Sequence, residues 1–335
     1  METVYFLGID VSKKTLDTAL TLDGVNMFEN QIENSRAAIK GFIQQLQKNF
    51  GFRLTQLVVC LEHTGIYCQP FLDFAVSKKI NICLEPALQI KQSQGMTRGK
   101  TDQVDAKRIA AYAYKNRQEL KFWKPQRLVL QKLKTLLVIR ERLIKMRVQL
   151  EVPINETKEF LENSLRAMAK SQCNKTLKAV ISDIAGVDKQ IDLLIKEDTQ
   201  LCQQMKWATS VPGVGKITAA NVIIDSGELE RISDVKKFAC YAGVAPFEHR
   251  SGSSIRGKTR VSKMANMTIK RLLHMAAMSA IQCCEDLKSY YHRKIAEGKN
   301  KMSVLNAVRN KLISRIFACI KAQRPYQKTY SNALA

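Results

Sequence analysis

The first hundred residues change period again and again, and that alternation limits the fold more than any other feature of the chain. Val4–Val11 and Leu16–Leu22 are β-rich apolar runs parted by the polar corner Ser12-Lys13-Lys14. Asp23-Gly24 is a hairpin signal leading to a third strand near Asn26–Ile32. Asn34-Ser35 offers an N-cap to a helix over Ala37–Phe50, whose Ile39, Phe42, Ile43 and Leu46 keep helical spacing. The run Gln56–Glu62 is nearly all apolar, as a buried parallel strand requires, and a helix at Gln69–Lys79 and a strand at Ile80–Leu84 follow.

Three strands with one hairpin, and then strands joined by helical crossovers, predict an RNase H-like mixed sheet, expected to fill residues 1–122. From 123 to about 200 the texture differs. Glycine nearly vanishes, and Leu130, Leu133, Leu137, Ile144 and Val148, then Leu177, Ile181, Ile184, Ile191 and Leu194, recur at three-to-four spacing. Two long helices are expected there, Pro153 breaking the first, paired as an antiparallel hairpin or as a coiled coil for assembly. Packing on their own domain accounts for the periodicity equally well. Residues 201–325 are expected to form a third, mainly helical domain. The fold class expected is thus α/β plus α, and a chain of 335 residues has room for two or three cores.

Charge narrows the partners. Lys and Arg number 54 against 30 Asp and Glu, a net +24 spread along the whole length, which attracts polyanions. Apolar runs such as Leu136–Ile139 are far too short to span a bilayer, so no membrane partner is expected. Met1–Asp10 shows no secretory signal. The nine cysteines include no Cys-x-x-Cys pair, and the four histidines are not spaced as ligands, so the cysteines read as small core residues in a reducing cytoplasm. Any metal chemistry must then use oxygen ligands.

Four acids can supply them. Asp10 ends the first strand in Gly8-Ile9-Asp10-Val11, and Glu62 ends the fourth, its neighbour in such a sheet. Asp102 and Asp105, three apart at the start of a helix running to about Tyr114, share one helix face. Strand-end solvation for the first two and helix-dipole capping for the second two are the ordinary readings. If all four converge, cations must offset their repulsion, and hard oxygens select Mg²⁺ or Mn²⁺, a pair of which could activate a nucleophile and steady a leaving oxygen.

Two further segments suit phosphate. Ser210-Val211-Pro212-Gly213-Val214-Gly215-Lys216 has the form of a helix-hairpin-helix, whose amides hold a phosphate without reading bases, although a plain loop before the helix Ile217–Ile224 would look similar. Phe247 to Arg260 reads as a flexible serine loop rich in cations. Phosphate contacts are expected from Lys13, Lys100, Gly213, Gly215, Lys216, Arg250, Arg256, Lys258, Arg260 and Lys263. A serine of that loop could also be a nucleophile, although Ser-Gly-Ser-Ser is ordinary turn composition.

Taken in order, these motifs resemble the insertion-sequence-110 family of transposases, also called DEDD transposases. Gly8–Lys13, Glu62 with Thr64–Tyr67, and Lys100–Ala106 are similar to that family's RuvC-like domain; Val211–Gly215, Phe238–Pro246 and Ser251–Gly257 are similar to its C-terminal domain. The resemblance implies that Asp10, Glu62, Asp102 and Asp105 bind Mg²⁺ and that Ser251 attacks DNA to form a phosphoserine intermediate, with strands exchanged through a Holliday-junction-like state. It also implies a tetramer, a dimer of dimers, and a structured noncoding bridge RNA that pairs with donor and target DNA in the cytoplasm of a bacterium or archaeon, at the nucleoid. Two other readings fit the residues: a RuvC-like nuclease or junction resolvase with water as nucleophile, and a nucleic-acid-binding protein without catalysis.

Overall fold

The computed structural model describes residues 4–93, 102–156, 160, 162–251, 255–262 and 264–327, with backbone alone at 154, 155, 166, 249–251, 255, 256 and 258. The chain packs as two units, one ending at Pro125 and one starting at Gln126.

In the first unit a five-stranded sheet has the order β3-β2-β1-β4-β5, with β1 at Tyr5–Val11, β2 at Thr15–Leu22, β3 at Val25–Glu33, β4 at Leu57–Glu62 and β5 at Asn81–Glu85. β1, β2 and β3 pair antiparallel, while β4 runs parallel to β1 and to β5. This is the RNase H-like arrangement that the sequence predicts. The side chains of α1 (Arg36–Phe50) and α2 (Gln69–Lys78) cover one face, where Leu7, Ile9, Leu16, Leu20, Val59 and Leu61 meet Ile39, Phe42, Leu46 and Phe71 in one buried cluster. Ser35 caps α1 by accepting from the Ala38 amide, as its sequence position suggests.

The other face carries α3 (Ala87–Gln92) and α4 (Asp102–Lys115), with Phe6, Val58, Cys60 and Cys83 against Ile90, Ile109, Tyr112 and Ala113. Here the strands offer small residues, and the reason is distance. A Cβ on Gly8 would lie 2.3 Å from the Ala110 amide nitrogen and 2.4 Å from the Ala106 carbonyl. Ala19, Ala106 and Ala110 form a fully buried cluster of their own. Only glycine at position 8 allows α4 to lie this close to the sheet. Burial pushes the Cys60 and Cys83 thiols up, in keeping with cysteine as an inert core residue.

The second unit is mainly helical: α5 (Leu128–Glu156), α6 (Asn163–Glu197), α7 (Thr199–Thr209), α8 (Lys216–Ser226), α9 (Val235–Tyr241), α10 (Met267–Cys283), α11 (Glu285–Ala296) and α12 (Lys301–Lys321). Ion pairs Arg127–Asp198 and Arg140–Asp188 show residue numbers rising on α5 as they fall toward α6, so the two long helices are antiparallel. Their Leu130, Leu133, Leu137, Ile191 and Ile195 share one core with Leu201, Phe238, Leu273 and Phe317, so the stretch expected as a separate middle segment has its apolar face in the C-terminal core. Pro153 does not break α5 but lies inside it, near its end. A proline removes one helical hydrogen bond, which a long helix tolerates close to its terminus.

The cationic serine segment is not simply a loop. Pro246–Ser251 (β6) and Ile255–Val261 (β7) pair antiparallel, Ser251 opposite Ile255, and residues 252–254 lie outside the described residues. Alternation around Phe247 and Ile255 is too weak for periodicity to find these strands, because a two-stranded ribbon has no buried face to mark.

Candidate active site

Strand alternation decides which side chains can meet. Leu7, Ile9 and Val11 point into the α1–α2 core, so Phe6, Gly8 and Asp10 face α4. By the same rule Val58 and Cys60 place Glu62 on the α4 face of β4. Ile9 pairs with Leu61, which brings Glu62 beside Asp10. Ala110 stacks on Gly8 and Tyr112 belongs with Phe6, so α4 runs against β1 and its N-terminal turn arrives at the Asp10 end. Asp102 and Asp105 occupy that turn.

Asp10 registers the result. Its carboxyl is pushed up to about 6, first by burial and then by Glu62, Asp102, Asp105 and Asp17 in turn. Desolvation and four like charges all disfavour its anion. The structure therefore brings Glu62, Asp102 and Asp105 within electrostatic reach of Asp10 and adds a further acid, Asp17. Asp17 is fully buried on β2, directly opposite Asp10, and both its oxygens accept from the Gln31 side-chain amide at 3.1 and 3.2 Å. Glu85 ends β5 opposite Glu62, with burial pushing its carboxyl up and Lys121 drawing it down. Neither was singled out from the sequence. The available signal for Asp17 was a charge inside an apolar strand, as far from the Ser12–Thr15 corner as Asp10 is.

Asn34 ties the loops that follow the two acidic strands. Its Nδ2 donates to the Ser12 carbonyl at 3.0 Å, just after β1, and to the Tyr67 carbonyl at 2.9 Å, in the turn after β4. Arg108 pairs with Asp105 at 2.8 Å.

Among the described residues no three His, Cys, Asp or Glu side chains stand close enough to form a ready-made metal cage. The donor set nevertheless fits a hard divalent cation. Mg²⁺ keeps several waters and is held by one or two carboxylates together with substrate phosphate, so it does not require three protein ligands in a closed cage. The mutual repulsion felt at Asp10 is the charge that such a cation would neutralise.

The remaining expected contacts divide. Lys13 is exposed in the corner after β1. Gly213 adopts φ +83°, and a Cβ there would lie 2.6 Å from the Ala276 carbonyl, so this glycine serves close packing of the α7–α8 turn on α10. Gly215 N-caps α8 with open space around it, and Lys216 pairs with Asp192. Arg260 is exposed on β7. Arg250, Ser251, Arg256 and Lys258 are described only as backbone of β6 and β7, and Lys100 and Lys263 lie outside the described residues. No described helix is long and apolar enough to cross a membrane.

Residues 7–162 match a family model described as a transposase and named for DEDD and IS110. Residues 205–292 match the model of the transposase IS116/IS110/IS902 family. A pilin gene-inverting protein of Moraxella bovis is 26% identical over 96% of this chain and 98% of its own length. The transposase of insertion sequence element IS1111A from Coxiella burnetii is 24% identical over 68% of each. Thermus thermophilus RuvC bound to a Holliday junction substrate aligns with 36% of this chain and 99% of its own at 13% identity and TM-score 0.28, too loosely to locate residues. Two matching models in order along the chain identify it as a member of the IS110 family of transposases.

Proposed function

We propose that this transposase cuts and rejoins the DNA of an insertion element, with Asp10, Glu62, Asp102 and Asp105 holding Mg²⁺ and Ser251 as the nucleophile. The observation that carries the reading is the half-buried Asp10, destabilised as an anion by every acid around it. A site so costly to ionise alone is suited to a metal and a phosphate together.

When bound, Mg²⁺ would supply charge stabilisation to the reacting phosphate. The side chains do the rest. The four carboxylates would hold the cation that meets the phosphate, and the proton that the Ser251 hydroxyl loses ends on the departing sugar oxygen. The Ser251 Oγ–phosphorus bond forms as the bond from phosphorus to one sugar oxygen breaks, and that oxygen leaves as a hydroxyl. Because the phosphoserine ester keeps the energy of the broken linkage, a sugar hydroxyl of another strand can reverse the step and rejoin DNA with no further co-reactant. A relative named for inverting a gene supports rejoining over simple cutting. Guidance by a bridge RNA and assembly as a tetramer belong to the same reading. They rest on the family and on the net charge of +24, which suits two polyanions at once.

Incubation of the protein and its copurifying RNA with donor and target DNA tests this. Recombinants and a covalent protein–DNA adduct are expected with Mg²⁺, both lost in Ser251→Ala and in Asp10→Ala. Strand cleavage without adduct, unaffected by Ser251→Ala, would instead establish water as nucleophile.

A further inference from the structure

In the second unit, a cation is buried without an anion. Arg309 of α12 is 6% exposed. One of its Nη atoms donates to Nδ1 of His274 on α10 at 2.7 Å, and its Nε has no partner. Arginine has no lone pair to offer, so Nδ1 must be the acceptor. Burial acts on the guanidinium, drawing its pKa down, and no carboxylate among the described residues opposes it. An arginine so placed is costly unless an anion meets it in the working state.

Neighbouring residues give this spot a place in the fold. Lys270 lies one turn before His274 on the same face of α10. Its Nζ stands 3.6 Å from where a Cβ on Gly243 would be. Asn306, one turn before Arg309, donates to the Val244 carbonyl at 2.7 Å. Gly243 and Val244 lead through Ala245 directly into β6, the strand that ends at Ser251. Among the described residues no acid pairs with Lys270 or Arg309, whereas Arg271, next along α10, has Glu141 at 2.9 Å.

We propose that Arg309, His274 and Lys270 form an anion site at the foot of β6 that takes a backbone phosphate of DNA. The choice of DNA rests on the proposed reading of Ser251, since a phosphate gripped here would belong to the strand presented to that hairpin. A guanidinium fixed by packing needs little reordering to bind an oxyanion, unlike a surface lysine.

The test is binding of a labelled random-sequence DNA duplex to the full-length protein in EDTA across a range of KCl concentrations. In Arg309→Met the slope of log affinity against log salt should fall by about one, and Tm should hold or rise, because the variant removes a charge that the free protein leaves unpaired. Arg309→Lys should recover the slope. An unchanged slope in Arg309→Met overturns the site, as does a change confined to a structured RNA. Inorganic phosphate that raises the wild-type Tm while the DNA slope is unaffected would assign the site to free phosphate and also overturn it. Should Arg309→Met fail to fold, Lys270→Gln serves the same measurement, and an unchanged slope there overturns the proposal. With EDTA present no cleavage is read, so failure here leaves the carboxylate–serine chemistry standing, and an active Ser251→Ala leaves this binding result standing.

Discussion

The two faces of the five-stranded sheet are built on opposite principles. Toward α1 and α2 every strand contributes large aliphatic side chains, Leu7, Ile9, Leu16, Leu20, Val59 and Leu61, that fill a thick apolar layer. Toward α4 the same strands present Gly8, Ala19 and Cys60, then Asp10, Asp17, Glu62 and Glu85 at one end. The first face buries area and supplies stability. The second gives up side-chain volume so that a helix can carry Asp102 and Asp105 to within electrostatic reach of Asp10. The contrast teaches that the acidic centre is located by close backbone approach and held in place by the apolar layer behind it.

Substitutions can separate the two roles, starting with the largest effect. Gly8→Val forces side-chain carbon into the Ala106–Ala110 backbone, which should cost about 4 kcal/mol or more and abolish Mg²⁺-dependent cleavage together. Thermal unfolding and plasmid cleavage measure both, and a soluble, active Gly8→Val would break the account of how α4 is placed. Leu61→Ala, on the opposite face, should cost about 2–5 kcal/mol through the cavity it leaves. Its Mg²⁺ affinity, titrated well below Tm, should stay near wild type. An affinity lost as completely as in Gly8→Val would erase the distinction between the faces.

Asp10→Asn sharpens the contrast by its pH dependence. In the folded protein Asp10 retains a proton up to about 6 that the unfolded chain releases near 3.8, so stability falls as pH rises through that window. The full effect corresponds to about 3 kcal/mol, reduced to about 1–2 kcal/mol by solvent reaching the half-buried site. Denaturant unfolding in EDTA should therefore show Asp10→Asn more stable than wild type at about pH 7.5 and equal to it near pH 3, with cleavage lost throughout. Equal stability at both would mean that the acids do not burden one another. Asn34→Ala should have the smallest effect, about 1 kcal/mol from two carbonyl contacts. It should weaken Mg²⁺ binding more than that loss alone explains, because it frees the loops behind Asp10 and Glu62. A metal affinity unchanged in isothermal titration would assign Asn34 to the fold only.

Periodicity and turn signals located the main elements of the first unit within a residue or two: β1 at Tyr5–Val11 against an expected Val4–Val11, α1 from Arg36 rather than Ala37, α2 to Lys78 rather than Lys79. The helices bury one face each, which prints a period on the sequence, and the central strands, buried on both faces, read as apolar runs. The four acids were legible for a related reason, since each is a charge at the end of an apolar or helical pattern. Asp17 was overlooked because an acid in mid-strand looks like a solvent-facing position until the α4 face is known to be covered. The β6–β7 hairpin and the unpaired Arg309 left no such mark.

By itself the sequence determined the strand and helix order, the basic charge that selects a polyanion, and which carboxylates stand at element ends, because these follow from local patterns and composition. Only the tertiary structure decided that α4 lies directly on Gly8, that Asp17 and Glu85 share the acidic face, that Gly213 packs on α10, and that Arg309 is buried without a counter-charge. Each of these depends on residues far apart in the chain reaching the same few ångströms, and a one-dimensional pattern does not record separation in space.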